Sequence, residues 1–343
     1  MSDRDRRGLR GHVKSCVEDR TFGMRTAEGK RYPESHSEHT TEFDIEGRIS
    51  TISYGNSDGS GWVTGFNYDA SGRLLKTTSG VESGAMKETT YFYDSSGRLQ
   101  DIRDETRPNN PITFTYDEHG RKTKTEVSRP EDYQPNTAIA GSPFEVADRA
   151  PNLPGGGSAT TFYDEHDRAT EVEVRDGQGK LVSRALRRYD AAGLVVEELQ
   201  VLDSPETLIP SDLRAKMIEE SGVSADELMQ ELRAQLTNLM SGESGPHSVF
   251  YRYDAEGRVI QTNRRVFNHQ DEIDSTYNEL GDIASEVTRS TLPEGSPSFS
   301  EVRYSYRYDH HGNWTEQELS YRNSPDGEFQ FSTIVKHTLT YHH

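Results

Sequence analysis

An aromatic residue followed by Asp (once Asn), two variable residues and then Gly (once Asp) occurs nine times along the chain, beginning at Phe43, Tyr68, Tyr93, Tyr116, Tyr163, Tyr189, Tyr253, Tyr277 and Tyr308. The fullest copies read Tyr-Asp-x-x-Gly-Arg-Leu, as at Tyr68 to Leu74. A tandem motif of this kind makes each copy one supersecondary unit that must bury its face against its neighbours, so the repeat sets the fold before length does. With Asp as the first residue of a type I turn, the variable pair fills the two central positions. Gly then supplies the positive φ of the bulge that closes a hairpin. Asp is favoured because its carboxylate accepts turn N–H groups. The structural turn residues are therefore Asp44 and Gly47, Asp69 and Gly72, Asp94 and Gly97, Asp117 and Gly120, and Asp254 and Gly257.

In such a hairpin the residue after Gly lies across from Asp, and the next lies across from the aromatic. One face then carries Phe43 with Ile49, Tyr68 with Leu74, Tyr93 with Leu99, Tyr253 with Val259, Tyr277 with Ile283 and Tyr308 with Trp314. The other carries Asp–Arg pairs such as Asp44/Arg48 and Asp69/Arg73, surface ion pairs expected to set register more than stability. Where the Arg position becomes Asp282, the Asp position becomes Asn278, which keeps two carboxylates apart. Asp167 replaces one Gly, and a degenerate copy starts at Arg175 with Asp176, Gly179 and Leu181 at the right offsets. Upstream of the turns aromatics recur with period two (Phe66 and Tyr68, Tyr91 and Tyr93, Phe114 and Tyr116, Tyr251 and Tyr253, Tyr304, Tyr306 and Tyr308) between mostly polar residues. Each strand is thus dry on one side and wet on the other.

The first aromatics are 25, 25 and 23 residues apart, room for two strands, a tight turn and a return loop in an antiparallel meander. Residues 130–158, rich in Pro and ending in Gly155-Gly156-Gly157, read as a long loop in place of a repeat. Across 204–245 the apolar period changes to that of helices. One is expected over 211–220, ended by Gly222, and a second behind the capping pair Ser224 and Glu227, carrying Leu228, Leu232, Leu236 and Leu239. This helical hairpin is expected to cover the aromatic face or an open sheet edge. Val13, Ser15, Val17 and 36–43 suggest an initial hairpin, and 333–341 a last strand. The whole chain, 1–343, reads as one all-β repeat domain.

Only 31% of the 343 residues are hydrophobic, lean for a compact globule and normal for a stack of repeats. The formal charge of −19 would repel phosphate backbones and anionic lipid, so nucleic acid and membrane insertion are excluded as partners. Cys16, the single cysteine, forbids an internal disulfide. The amino-terminal residues lack the apolar run of a secretory signal, and a cytoplasmic location is expected, with export by a signal-independent route left open.

Repeating Tyr-Asp-x-x-Gly-Arg-Leu at this interval over 40–320, the chain resembles the YD-repeat (RHS-repeat) family. That resemblance implies hairpins wound into a spiral β-shell, which in large members encloses a carboxy-terminal toxin; others are cell-surface or carbohydrate-associated. Neither an Asp-Pro-x-Gly-Leu element nor a domain after the last repeat is present in this sequence, so self-cleavage and toxin delivery are not carried over. Nine hairpins imply a curved open sheet or partial shell.

Stacked aromatic faces can hold sugar rings, so Tyr304, Tyr306, Tyr308, Trp314 and Trp62 are the candidate ligand-stacking residues, although alternation in a sheet predicts the same stripe without a ligand. The repeated Asp residues are spread one per hairpin, unlike the converging oxygens of a calcium site. His36 and His39 point to opposite faces of an extended segment, His310-His311 lies in a turn, and Cys16 has no neighbouring base, so no metal, cofactor or catalytic residue is assigned. The expected function is a non-enzymatic scaffold that binds, displays or shields another macromolecule, a protein or a glycan. The alternatives are a carbohydrate-binding protein using the aromatic face and a glycan-active or hydrolytic enzyme assembled across turns.

Overall fold

The computed structural model describes the chain except residues 1, 23–34, 57–60, 82–83, 131–143, 145–146, 148–149, 154, 205–210, 223, 225, 229, 232–246, 267–268, 292–296 and 343. Twenty strands run in sequence order: β1 (Val13–Phe22), β2 (Ser35–Phe43), β3 (Ile49–Asn56), β4 (Gly61–Tyr68), β5 (Leu74–Val81), β6 (Lys87–Tyr93), β7 (Leu99–Asp104), β8 (Ile112–Tyr116), β9 (Lys122–Ser128), β10 (Gly156–Tyr163), β11 (Ala169–Asp176), β12 (Leu181–Tyr189), β13 (Val195–Leu202), β14 (His247–Tyr253), β15 (Val259–Val266), β16 (His269–Tyr277), β17 (Ile283–Thr291), β18 (Ser298–Tyr308), β19 (Trp314–Arg322) and β20 (Gln330–Tyr341). Each pairs antiparallel with its sequence neighbours, and β1 also pairs with β20, from Val13 opposite Tyr341 to Phe22 opposite Thr333.

The sheet is therefore a closed up-and-down barrel, which corrects the expectation of an open sheet or partial shell. The reason is the terminal strands. An open meander would leave β1 and β20 with a row of unpaired backbone groups each, and pairing them satisfies both rows at once. Together they also act as a tenth hairpin without a turn.

The nine repeat turns have the expected geometry. In the first, Gly47 lies at φ 79°, its N–H donates to Asp44 O at 3.0 Å, and Asp44 N–H donates to Arg48 O at 2.9 Å. Asp167 takes φ 61° in place of Gly. Every aromatic is opposite the expected residue, Phe43 with Ile49 through Tyr308 with Trp314. Just beyond, each returning strand carries one extra residue, as between Ile49 and Thr51 or Leu74 and Lys76. Nine such bulges at one level add twist where the strands must curve into a ring.

All nine turns lie on one rim, joining even strands to the next odd one. The degenerate Asp176 turn, with Gly179 at φ 82°, joins β11 to β12 on the opposite rim, together with both insertions. No repeat is missing between β9 and β10, which pair directly from Gly156 opposite Ser128. Gly156, Gly157 and Ser158, expected in the loop, already belong to β10. Gly157 is required there because a side chain would collide with the Arg175 carbonyl.

Helix α1 (Asp3–Arg6) precedes the barrel, and α2 (Ser211–Ser221) stands in the β13–β14 insertion, ended by Gly222 at φ 69°. The capping pair holds: Ser224 N–H donates to Glu227 Oε2 at 3.0 Å and Glu227 N–H to Ser224 Oγ at 3.2 Å. Leu228 is buried, while Leu232, Leu236 and Leu239 lie outside the described residues. Leu213 of α2 is 47% exposed while Met217 and Ile218 are half-buried, and with the ring closed there is no open sheet edge for the helix to cover.

The buried core is local. Phe144, Ala147 and Leu153, from the insertion expected to be loop, pack on Ala159, Val172, Val174 and Ala185 of β10 to β12. Thr125 donates to Ala147 O at 2.5 Å and the Arg187 guanidinium lies 4.0 Å from the Phe144 ring centre. Elsewhere the repeat tyrosines are half-buried, Phe43 is buried, and the polar residues between (Asn67, Thr115, Arg252, Ser305, Arg307) are exposed.

Candidate functional site

Each repeat is fastened to the next by its tyrosine. Tyr68 donates to Ile49 O at 2.8 Å, Tyr93 to Leu74 O at 2.8 Å, Tyr116 to Leu99 O at 2.7 Å and Tyr277 to Val259 O at 2.7 Å. The Arg of the preceding hairpin lies over the ring, Arg48 at 4.9 Å from Tyr68 and Arg258 at 4.7 Å from Tyr277. Burial, reinforced by Asp3 and Asp44, pushes the Tyr68 phenol up to about 12. The Arg residues therefore do more than the register-setting expected of them: each bonds its own Asp and covers the next tyrosine.

The stacking candidates fare unequally. Tyr304, Tyr306 and Tyr308 are half-buried and their hydroxyls are engaged by the sheet: Tyr304 donates to Glu286 Oε2 at 2.6 Å, Tyr306 to Ile283 O at 2.8 Å and Tyr308 to Asp282 Oδ2 at 2.7 Å. Here the Arg-to-Asp282 change shifts the pattern by two residues: Tyr306 takes the carbonyl and Tyr308 the carboxylate. Trp314 stacks on His337, ring centres 3.5 Å apart. Trp62 is 42% exposed beside its register partner Tyr54, 48% exposed, near the rim opposite the repeat turns.

Strand register gathers residues that no sequence window joins. Glu18 of β1 lies directly opposite His39 of β2 and His337 of β20, and His337 Nε2 is 3.2 Å from Glu18 Oε2. His39 stacks on Tyr54 at 4.3 Å, so Trp62, Tyr54, His39, Glu18, His337 and Trp314 form a row across six strands with a carboxylate in the middle. The hydrogen bond from His337 holds the Glu18 carboxyl below its usual range, and burial lowers His39. Burial, with Glu18 nearby, pushes the Cys16 thiol up to about 11, so it is protonated at neutral pH and a poor nucleophile.

Cys16, Glu18, His39, His337 and Trp314 line a cavity of about 290 Å³ at the closing seam, roofed by residues 7–10 and reaching Asp282. Asp282 and His39 are five strand steps apart in a ring of twenty, a quarter turn. Residues so placed share one cavity only across the concave side, which puts the aromatic face inside the barrel. His36 pairs with Thr21, away from this row, and His310 and His311 sit against Tyr341. Among the described residues no group of three or more His, Cys, Asp or Glu is arranged to hold a metal. Of the seam residues, sequence reasoning considered Cys16, His39 and Trp314 and missed Glu18, Tyr54 and His337; the last lies 319 residues from Glu18, and only closure joins them.

No family model matches the chain, and no curated protein matches its sequence. Similar solved structures include a porin-like protein from Bacteroides uniformis, 14% identical with TM-score 0.33 over 95% of this chain and 98% of that one. A porin-like protein from Bacteroides vulgatus is 12% identical with TM-score 0.18, over 97% and 99%. A β-barrel-like protein of a domain of unknown function from Brucella abortus is 9% identical with TM-score 0.20, over 97% and 99%. At these scores the likenesses carry no argument about this chain; its closed ring rests on its own strand pairing.

Proposed function

We propose that the protein is a non-enzymatic YD-repeat scaffold whose barrel lumen receives and shields a segment of another polypeptide. The observation that carries this reading is the docking of the chain's own Phe144, Ala147 and Leu153 on the aromatic face, where all three are buried. A face that accepts these apolar side chains offers the same chemistry along neighbouring strands. Barrels of 16 or more strands are too wide for their own side chains to fill, and this one has twenty.

The outer face favours water over lipid. It carries charged pairs such as Arg188 with Glu197 at 2.9 Å and Arg307 with Glu316 at 3.2 Å, where a membrane-spanning barrel needs an apolar band. Among the described residues no helix is long and apolar enough to cross a membrane.

Thr262, opposite Tyr251, faces the lumen, and Asn263 faces out. A photo-crosslinking amino acid placed at each in turn should capture one stoichiometric polypeptide from position 262 and none from 263. Equal capture from both positions would sink the proposal.

A further inference from the structure

The lumen reading leaves the seam cavity unused. Its walls present both hydrogen-bonding signs and an apolar ring. His337 is nine-tenths buried, with a side chain 9% exposed, and its Nε2 is committed to Glu18. With Glu18 ionised, Nε2 carries the proton that faces it, and Nδ1 is buried without a partner. His39 Nε2 is likewise buried and unpartnered. Such atoms cost free energy unless something bonds them. Thr41 contributes a hydroxyl and Trp314 an aromatic surface.

Charge narrows what fits. Arg7 and Arg10 at the roof disfavour a cation, and Glu18 and Asp282 disfavour an anion. Glu18 is moreover already engaged by Arg20 Nη2 at 3.1 Å. We propose that the seam cavity binds a small neutral polyhydroxylated ring, its C–H face on Trp314 and its hydroxyls, which can donate or accept, bonded to His337 Nδ1 and His39 Nε2. A free sugar and the terminal residue of a glycan share this chemistry. The site is independent of the scaffold reading, since it needs the seam and not the open lumen.

The chain has two tryptophans, so Trp62→Phe leaves Trp314 as sole reporter. Titrating this variant with D-glucose, D-galactose and myo-inositol, and with an oligosaccharide of whichever sugar responds, should give a saturable change in emission for at least one. His337→Phe should weaken it at least tenfold. In ¹⁵N-histidine-labelled wild type, the His337 Nδ1 resonance should move on adding the same compound, a readout that survives if His337→Phe fails to fold. Three results overturn the proposal: no saturable response to any neutral probe, an unmoved Nδ1 resonance, or saturation by choline instead.

Discussion

Arg48 shows how much one repeat position does. Its backbone N–H donates to Asp44 Oδ1 at 2.9 Å, its Nε to Asp44 Oδ2 at 2.6 Å, and its guanidinium covers Tyr68 in the next hairpin. The motif is thus a joint between hairpins as well as a turn. The turn itself depends on glycine: at φ 84°, Gly72→Val forces a branched side chain into the left-handed region and should cost about 1–3 kcal/mol. Thermal unfolding of the variant measures this, and an unchanged midpoint would refute the strain. At this scale the sequence was nearly transparent, because a turn is closed by residues within five positions of each other. The tyrosine hydroxyl bonds were not legible, since they cross to a strand some twenty residues away.

Among the elements, the amino-terminal segment takes the place of the missing tenth turn. Arg4 N–H donates to Gly47 O at 3.0 Å and Ile49 N–H to Asp3 Oδ2 at 3.1 Å on one side of the seam. On the other, Arg10 N–H donates to Asn313 Oδ1 at 2.6 Å and Asn313 Nδ2 to Arg10 O at 2.8 Å. Removing residues 2–10 deletes these four bonds, each worth roughly 0.5–1.5 kcal/mol, and leaves Asn313 buried without them. Amide exchange in β1 and β20 should then accelerate relative to β6 and β7. Uniform protection around the ring would show that the segment does not hold the seam. The 211–220 helix and the Ser224–Glu227 cap could be read locally. Where the insertions pack could not, because an amphipathic pattern states that a face is covered and not by what.

For the whole molecule, the tyrosine joints make stability depend on alkaline pH. Tyr68, Tyr308 and Tyr341 are each pushed up to about 12, chiefly by burial, against about 10 in an unfolded chain. A phenol whose folded value is raised keeps its proton longer when folded. Its stabilisation is therefore full below pH 10 and lost as the pH rises towards 12. The denaturant midpoint should fall across that window; a flat profile would contradict the burial of these hydroxyls. What the sequence determined by itself was periodic and short-range: the hairpins, their register and the two-faced strands, all fixed by residues that meet within one turn. Only the tertiary structure decided that the strip closes, that the aromatic face turns inward and that Glu18 meets His39 and His337. Those outcomes depend on β1 finding β20 across the length of the chain, which no local pattern encodes.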